Sequence, residues 1–430
     1  MSQTPKISIP IKWDAKACEN FSEEKLLLYR SNLLGSDLRV TNYGGGNTSA
    51  KVMMKDPLTD KDVEVLWVKG SGGDIGSMKL DGFATLSMDK LIALKGLYRG
   101  LAHEDAMVDY LPHCTFNLNA RAASIDTPLH AYIPHKHVDH VHPDAVIAIA
   151  ASRNGEAITQ KVFADELGWI PWQRPGYDLG LKIEALCKAK PHLQGIVLGG
   201  HGLFTWGATA VECYENTIKT IQKAQNYIDS KDQGLCFGGP RLAPLDEARR
   251  KEFASRFMPP LRGILSKQNE KIGHFNDSED VLAFVCSQQA RKLAALGTSC
   301  PDHFLRTKIA PLFVDFDPAK DSVESVLASL DDALERYRKS YEAYYNRCKH
   351  PASPAMRDPY PVIILVSGVG LFSYASDKAT ARIAGEFYVN AINVMRGAAA
   401  LDEYVALPEQ EAFDIEYWAL EEAKLRRRQA

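Results

Sequence analysis

The chain has 430 residues, 45% of them hydrophobic and 24% charged, with a net charge of −3. That length exceeds one ordinary core and predicts two domains or one enlarged one in a globular protein. The charge balance excludes a general electrostatic footprint for nucleic acid, and no apolar run approaches the roughly 20 residues of a membrane span.

The N-terminus, MSQTPKISIPIKWD, has no basic region followed by an apolar run and is not read as a signal peptide. Eight cysteines without a CxxC pair predict reduced thiols in a cytoplasmic protein. Cys213 and Cys286 fall in helical patterns and are expected in the core.

Residues 20–35 predict a helix, with Ser22 as its cap, two glutamates in the first turn and Gly35 just past its end. VTNYGGGNTSAKVMM is a glycine loop entering a strand, and VEVLWVKGSGGDIGSM is a buried strand running into a second glycine loop. Residues 84–100 show helical apolar spacing. KHVDHVHPDAVIAIAAS divides at Pro143 into a strand and a helix, with proline at the first helical position. QGIVLGGHGLFTWG reads as strand, tight turn and strand, and residues 209–229 as an amphipathic helix. Composition shifts near residues 230–247. Helices follow to about residue 298, then GTSCPDHFLRTKIAPLFVDF, a charged helix through residue 346 and a proline-rich link. The terminal LEEAKLRRR reads as a solvated helix or the start of a linker. GGHGLFTWG (199–207) echoes SGVGLFSYA (367–375), so that Gly202 meets Gly370, Phe204 meets Phe372 and His201 meets Val369. A degenerate partial repeat and chance similarity of two strand–turn–helix segments both account for the echo.

The densest chemistry is HVDHVHPDAV. On a strand, His140 and His142 point to one face, which suits two ligands of one metal; His135 and His137 share the spacing but lie nearer a loop. His201, between two glycines at a strand end, can supply a third imidazole, and three imidazoles with an open position make a catalytic zinc site. A hydrogen-bonded structural pair is the competing account of the two strand histidines. Asp126, in RAASIDTPLHAY, can move a proton beside a metal-bound substrate; as a helix N-cap it needs no chemistry. GGGNTS (44–49) and KGSGG (69–73) offer backbone N–H groups, hydroxyls and Lys69 to a phosphate, although neither is a nucleotide glycine fingerprint.

In this order, the glycine–Asn loop, Ser-Gly loop, Ser-x-acid, HxHP and GxHGLF motifs over about residues 20–230 resemble the class II (zinc-dependent) aldolase/adducin-head family. The resemblance implies an α/β fold of three layers, a central mixed or antiparallel sheet with helices on both faces. It implies an aldolase domain over residues 1–240 and a C-terminal α/β extension over 241–430. It further implies Zn²⁺ or another divalent metal on His140, His142 and His201, and phosphate or substrate on Gly46, Asn47, Thr48, Ser49, Lys69, Ser71, Gly72 and Ser124. Asp126 stands where the family has a glutamate acid/base and is one methylene shorter. GTSCPDHFLRTK and the terminal EYWALEEAKLRRRQA match the aldolase part of bifunctional rhamnulose-1-phosphate aldolase/short-chain dehydrogenases; the dinucleotide glycine fingerprint is missing, so no NAD site and no dehydrogenase domain are expected in this chain.

The implied activity is reversible cleavage of a ketose 1-phosphate, L-rhamnulose 1-phosphate first, to dihydroxyacetone phosphate and L-lactaldehyde in rhamnose catabolism. The metal would stabilise charge on the ketone fragment, and Asp126 would protonate its carbon. The partners are a small phosphorylated sugar and further copies of the chain, a tetramer by resemblance, and neither nucleic acid nor membrane. A sugar-phosphate 4-epimerase or related lyase would keep the same histidines. A non-enzymatic adducin-like module would not need them.

Overall fold

A computed structural model describes residues 7–118 and 121–418; the LEEAKLRRR segment lies outside them. The described residues divide into two compact units, the first comprising 7–118, 121–150 and 154–229, the second 151–153 and 230–418. Among the described residues no helix is long and apolar enough to cross a membrane. All eight cysteines are free thiols, with Cys213 and Cys286 buried.

The first unit runs α1 (Glu23–Gly35), β1 (Asn47–Lys55), β2 (Asp62–Lys69), β3 (Phe83–Ser87), α2 (Met88–Ala93), α3 (Thr127–Tyr132), β4 (His137–Val141), α4 (Asp144–Ala150), α5 (Gly155–Phe163), β5 (Leu167–Ile170), α6 (Tyr177–Ala189), β6 (Gly195–Leu198), β7 (Gly202–Gly207) and α7 (Ala210–Lys231). Its seven strands form one mixed sheet, β3-β2-β1-β4-β7-β6-β5, flanked by helices. Only the β5–β6 pair is parallel. The helix expected over 84–100 is corrected: Phe83–Ser87 is β3, and α-helix covers only Met88–Ala93. The five residues of β3 are almost wholly buried beside β2, and pairing with a sheet overrides local helical spacing. Ser22 does precede α1, but its side chain makes no cap bond, and Gly35 is the helix's last residue. A Cβ at Gly35 would lie 2.2 Å from Gly76 N, so glycine is there for close approach. Pro143 lies just outside α4, its carbonyl accepting from Val146 and Ile147 N–H.

β4 is the middle strand and every one of its five residues is buried. An aspartate there must be paired. Arg30, fully buried on α1, donates its Nε to Asp139 Oδ1 at 2.8 Å, Nη1 to His137 Nδ1 at 2.8 Å and Nη2 to Ser49 O at 2.7 Å. Thr217 Oγ1 of α7 donates to the other Asp139 oxygen at 2.8 Å. One guanidinium thus ties α1 to both β1 and β4. Arg30→Ala strands a buried carboxylate and is expected to cost about 3–5 kcal/mol; urea unfolding measures it, and a loss under about 1 kcal/mol would refute the assignment.

The same burial sets an acid limit. His130 is pushed down to about 3, first by burial and then by Lys51, Arg30 and Lys69; His137 is pushed down to about 2, first by burial and then by Arg30, Lys136 and Lys51. Both stay neutral in the folded chain, whereas an unfolded histidine titrates near 6.5. The unfolded chain therefore takes up protons first. Stability from this source is complete above about pH 6.5 and falls by about 1.4 kcal/mol per pH unit per histidine towards pH 3. Urea unfolding at pH 7 and pH 5 checks this, and equal stabilities would contradict it.

The second unit runs α8 (Glu247–Leu265), β8 (Ile272–Asn276), α9 (Glu279–Val285), α10 (Ala290–Leu296), α11 (Pro301–Thr307), β9 (Leu312–Val314), α12 (Val323–Cys348), β10 (Ile363–Val366), β11 (Gly370–Ala375), α13 (Lys378–Leu401) and α14 (Glu409–Glu416). β8 interrupts the stretch expected to be helical to residue 298. TSCPDHFLRTK forms α11, entered through Cys300 at φ +75°. The sheet order β8-β11-β10-β9 matches β4-β7-β6-β5 strand for strand: outer and hairpin pairs antiparallel, last pair parallel. β6 and β7 recur as β10 and β11 at an offset of 168, and β4 and α4 recur as β8 and α9 at 135. Phe275 stacks on Phe372 (centroids 4.9 Å) as His140 stacks on Phe204 (4.2 Å).

Candidate metal centre

The β4–β7 register opposes His140 to Phe204, and the β6–β7 turn sets His201 immediately before β7. His142 follows the end of β4. All three imidazoles are buried and their ligand atoms gather within 4.8 Å of one another. His140 Nε2 lies 3.0 Å from His142 Nε2 and 3.2 Å from His201 Nε2. His140 Nδ1 lies 3.1 Å from the Leu203 carbonyl, which can only accept, so Nδ1 carries the proton and Nε2 presents its lone pair to the cluster. Burial, then His142 and His201, hold His140 well below its ordinary pKa, in the neutral form a metal requires. Tetrahedral zinc bonds of 2.0–2.1 Å place ligand nitrogens about 3.3 Å apart. The observed separations fit such an ion. A Cβ at Gly202 would lie 2.8 Å from the His142 ring, so only glycine leaves that ring its place.

The glycine–Asn loop is pressed against this cluster. Gly46 has φ +70°, and a Cβ there would lie 2.6 Å from His140 O. Asn47 pairs with His140 across the β1–β4 ladder. With its amide oriented to satisfy its neighbours, Asn47 donates to Asp126 Oδ2 at 2.8 Å and to Gly46 O at 3.0 Å, and accepts from Ser124 Oγ at 3.2 Å. Asp126 sits at the N-cap position of α3, but its side chain makes no cap bond there; the carboxylate meets Asn47 and, at 3.5 Å, Ser124. Thr48 is the exception in the loop. Strand alternation turns it to the other face, where its hydroxyl is buried 2.6 Å from Ser31 Oγ. Its side chain is therefore not brought to the site.

In the second loop Lys69 is buried with Nζ 3.5 Å from Gly44 O. Ser71 N donates to Ala122 O at 3.0 Å, tying this loop to the segment that carries Ser124 and Asp126. Gly72, at φ +82°, faces open space. His137 is committed to Arg30, and His135 stacks on Trp206 at 5.1 Å, so neither belongs to the cluster. Sequence reading passed over Arg30, Ser31 and His130. Arg30 was signalled only by a charge inside the apolar run LLLYRSNLL, and His130 by its place four residues after Asp126.

Residues 26–228 match the model of the class II aldolase and adducin N-terminal domain, and residues 252–425 that of the class II aldolase second domain. The chain is 32% identical to the N-terminal class II aldolase domain of a conserved Thermoplasma acidophilum protein, covering 52% of this chain and 99% of that one, with a TM-score of 0.45.

The chain belongs to the class II aldolase and adducin family.

The class II aldolases of this family are usually divalent-metal dependent. A Bacillus subtilis (strain 168) protein titled "uncharacterized oxidoreductase YuxG" is 39% identical over 415 residues, 96% of this chain but 60% of that protein's length. The L-fuculose-1-phosphate aldolase of Thermus thermophilus is 13% identical over 48% of this chain and 96% of its own, with a TM-score of 0.32.

Proposed function

We propose that this class II aldolase-family chain cleaves a ketose 1-phosphate reversibly, L-rhamnulose 1-phosphate foremost, to dihydroxyacetone phosphate and L-lactaldehyde. The observation that carries the reading is the convergence of three imidazole Nε2 atoms, together with a carboxylate held by Asn47, the residue that pairs with His140 across the β1–β4 ladder. His140, His142 and His201 would hold the divalent ion, whose Lewis acidity offsets charge developing on the ketone oxygens when bound.

The chain's own groups do the rest. Asp126 gives a proton to the ketone-fragment carbon released by C3–C4 cleavage and takes it back in synthesis. Asn47 fixes the carboxylate's direction. Gly46, Ser71 and Gly72, with Lys69 behind them, offer N–H groups, a hydroxyl and positive charge to the substrate phosphate, which positions the reacting carbons through the non-reacting end. Ser124 braces Asn47 and Asp126.

The test is incubation of zinc-loaded protein with L-rhamnulose 1-phosphate, followed as dihydroxyacetone phosphate released. Release at one equivalent per sugar supports the proposal. Conversion to an isomeric ketose phosphate without triose release would replace it with epimerisation.

A further inference from the structure

One buried polar side chain in the first unit has no part in the reaction just described. His130 is fully buried on α3. Its Nδ1 lies 2.7 Å from Ser49 Oγ, and its Nε2 meets no hydrogen-bond partner among the described residues. Burying an imidazole with one nitrogen unsatisfied costs stability that leucine or phenylalanine would not. Packing alone therefore does not account for it, even though the ring sits edge-on to Phe204 at 5.5 Å, behind the Phe204–His140 stack.

The partner explains the cost. Ser49 follows Asn47 by two residues on β1, so both side chains leave the same face. His130 follows Asp126 by four, so both lie on one face of α3. Two strand residues span about 6.6–6.8 Å, and four helical residues rise about 6 Å. The strand and helix are thus commensurate at two rungs, Asn47 to Asp126 and Ser49 to His130. α3 is buried along its length and its far end is anchored by the Tyr132 hydroxyl, which donates to Leu91 O at 2.8 Å, but at its N-terminal end the Asn47 bond is made to the Asp126 carboxylate alone. The second rung, one helical turn on, ties the polar face that carries Asp126 to the same strand as Asn47.

We propose that His130 is a positioning residue which, through Ser49, holds α3 in the one orientation that aims the Asp126 carboxylate at the substrate carbon. The inference rests on the proton-transfer role given above to Asp126. It makes Ser49, which the resemblance places among phosphate-binding residues, a structural partner of that acid/base.

The experiment is solvent exchange of dihydroxyacetone phosphate in D₂O by the zinc-loaded full chain. A C–H proton passes to the Asp126 carboxylate and a deuteron returns, so no aldehyde is needed and the loss of C–H signal is read by NMR. Wild-type protein that binds zinc yet exchanges nothing would sink the aldolase reading itself, whatever the variants do. If it exchanges, His130→Phe, which keeps an aromatic ring against Phe204, and Ser49→Ala are each expected to slow saturated exchange about 10–100-fold. The KM for dihydroxyacetone phosphate and the zinc per chain should not change. The double variant should be no slower than the slower single one, and His130→Asn, which restores a hydrogen-bonding group near the Nδ1 position, should recover part of the rate. Losses that multiply in the double variant, a raised KM at unchanged saturated rate, or zinc lost in step with activity would each overturn the proposal. Should His130→Phe fail to fold, Ser49→Ala decides: wild-type exchange in that variant overturns the inference, and slowed exchange with zinc retained supports it.

Discussion

His142→Ala is expected to abolish stoichiometric zinc binding and to lower triose release by about 10³-fold or more. The ring sits 3.0 Å from His140 Nε2 in a space kept open by Gly202. Loss of one of three neutral ligands leaves too few protein donors for a catalytic zinc site. The Lewis-acid contribution then lost is several kcal/mol, and about 4 kcal/mol corresponds to a factor near 10³ in rate. The fold should survive, because His142 lies past the end of β4 and the His140–Phe204 stack is untouched. Elemental analysis of purified protein and a triose-coupled assay check both halves. A variant that retains one zinc per chain and wild-type turnover would remove His142 from the centre.

Asp126→Asn is expected to separate chemistry from binding. The amide keeps the size of the carboxylate, and its oxygen can still accept from Asn47, so α3 should stay in place. It cannot exchange a proton near neutral pH. The loss should fall on kcat, by about 10²–10⁴-fold, with zinc content unchanged and KM little altered. Steady-state assays at saturating sugar phosphate measure it. Retention of more than about a tenth of wild-type kcat would mean that another group moves the proton.

The parts of the fold legible in the sequence are those where local pattern and tertiary demand agree. Pro143 separates β4 from α4, the glycine turn before Gly202 makes the β6–β7 hairpin, and the apolar stripe of α7 is unambiguous. The stretch 84–100 misleads because its apolar residues serve first a strand beside β2 and only then a helix. The histidine cluster was legible because alternation on a strand fixes which side chains share a face. Thr48 was misplaced for the same reason read too loosely: it sits between Asn47 and Ser49 and must face α1. Arg30 and His130 escaped because their meaning lies in partners more than 80 positions away, Asp139 for one and Ser49 for the other, a separation no periodicity reports.

The matching strand orders of the two units set one arrangement of strands beside two different sets of side chains within one molecule. Where the first sheet has His140, His142 and His201, the second has Phe275, Asp277 and Val369 at corresponding positions, and it keeps the same strand senses and the same ring-on-ring stack. The same strand arrangement thus carries three clustered imidazoles in one unit and other side chains at the corresponding positions in the other. The three imidazoles are therefore not what assembles this strand arrangement: it stands as well with a phenylalanine ring, a carboxylate paired to Arg250 at 2.9 Å and a valine in their places.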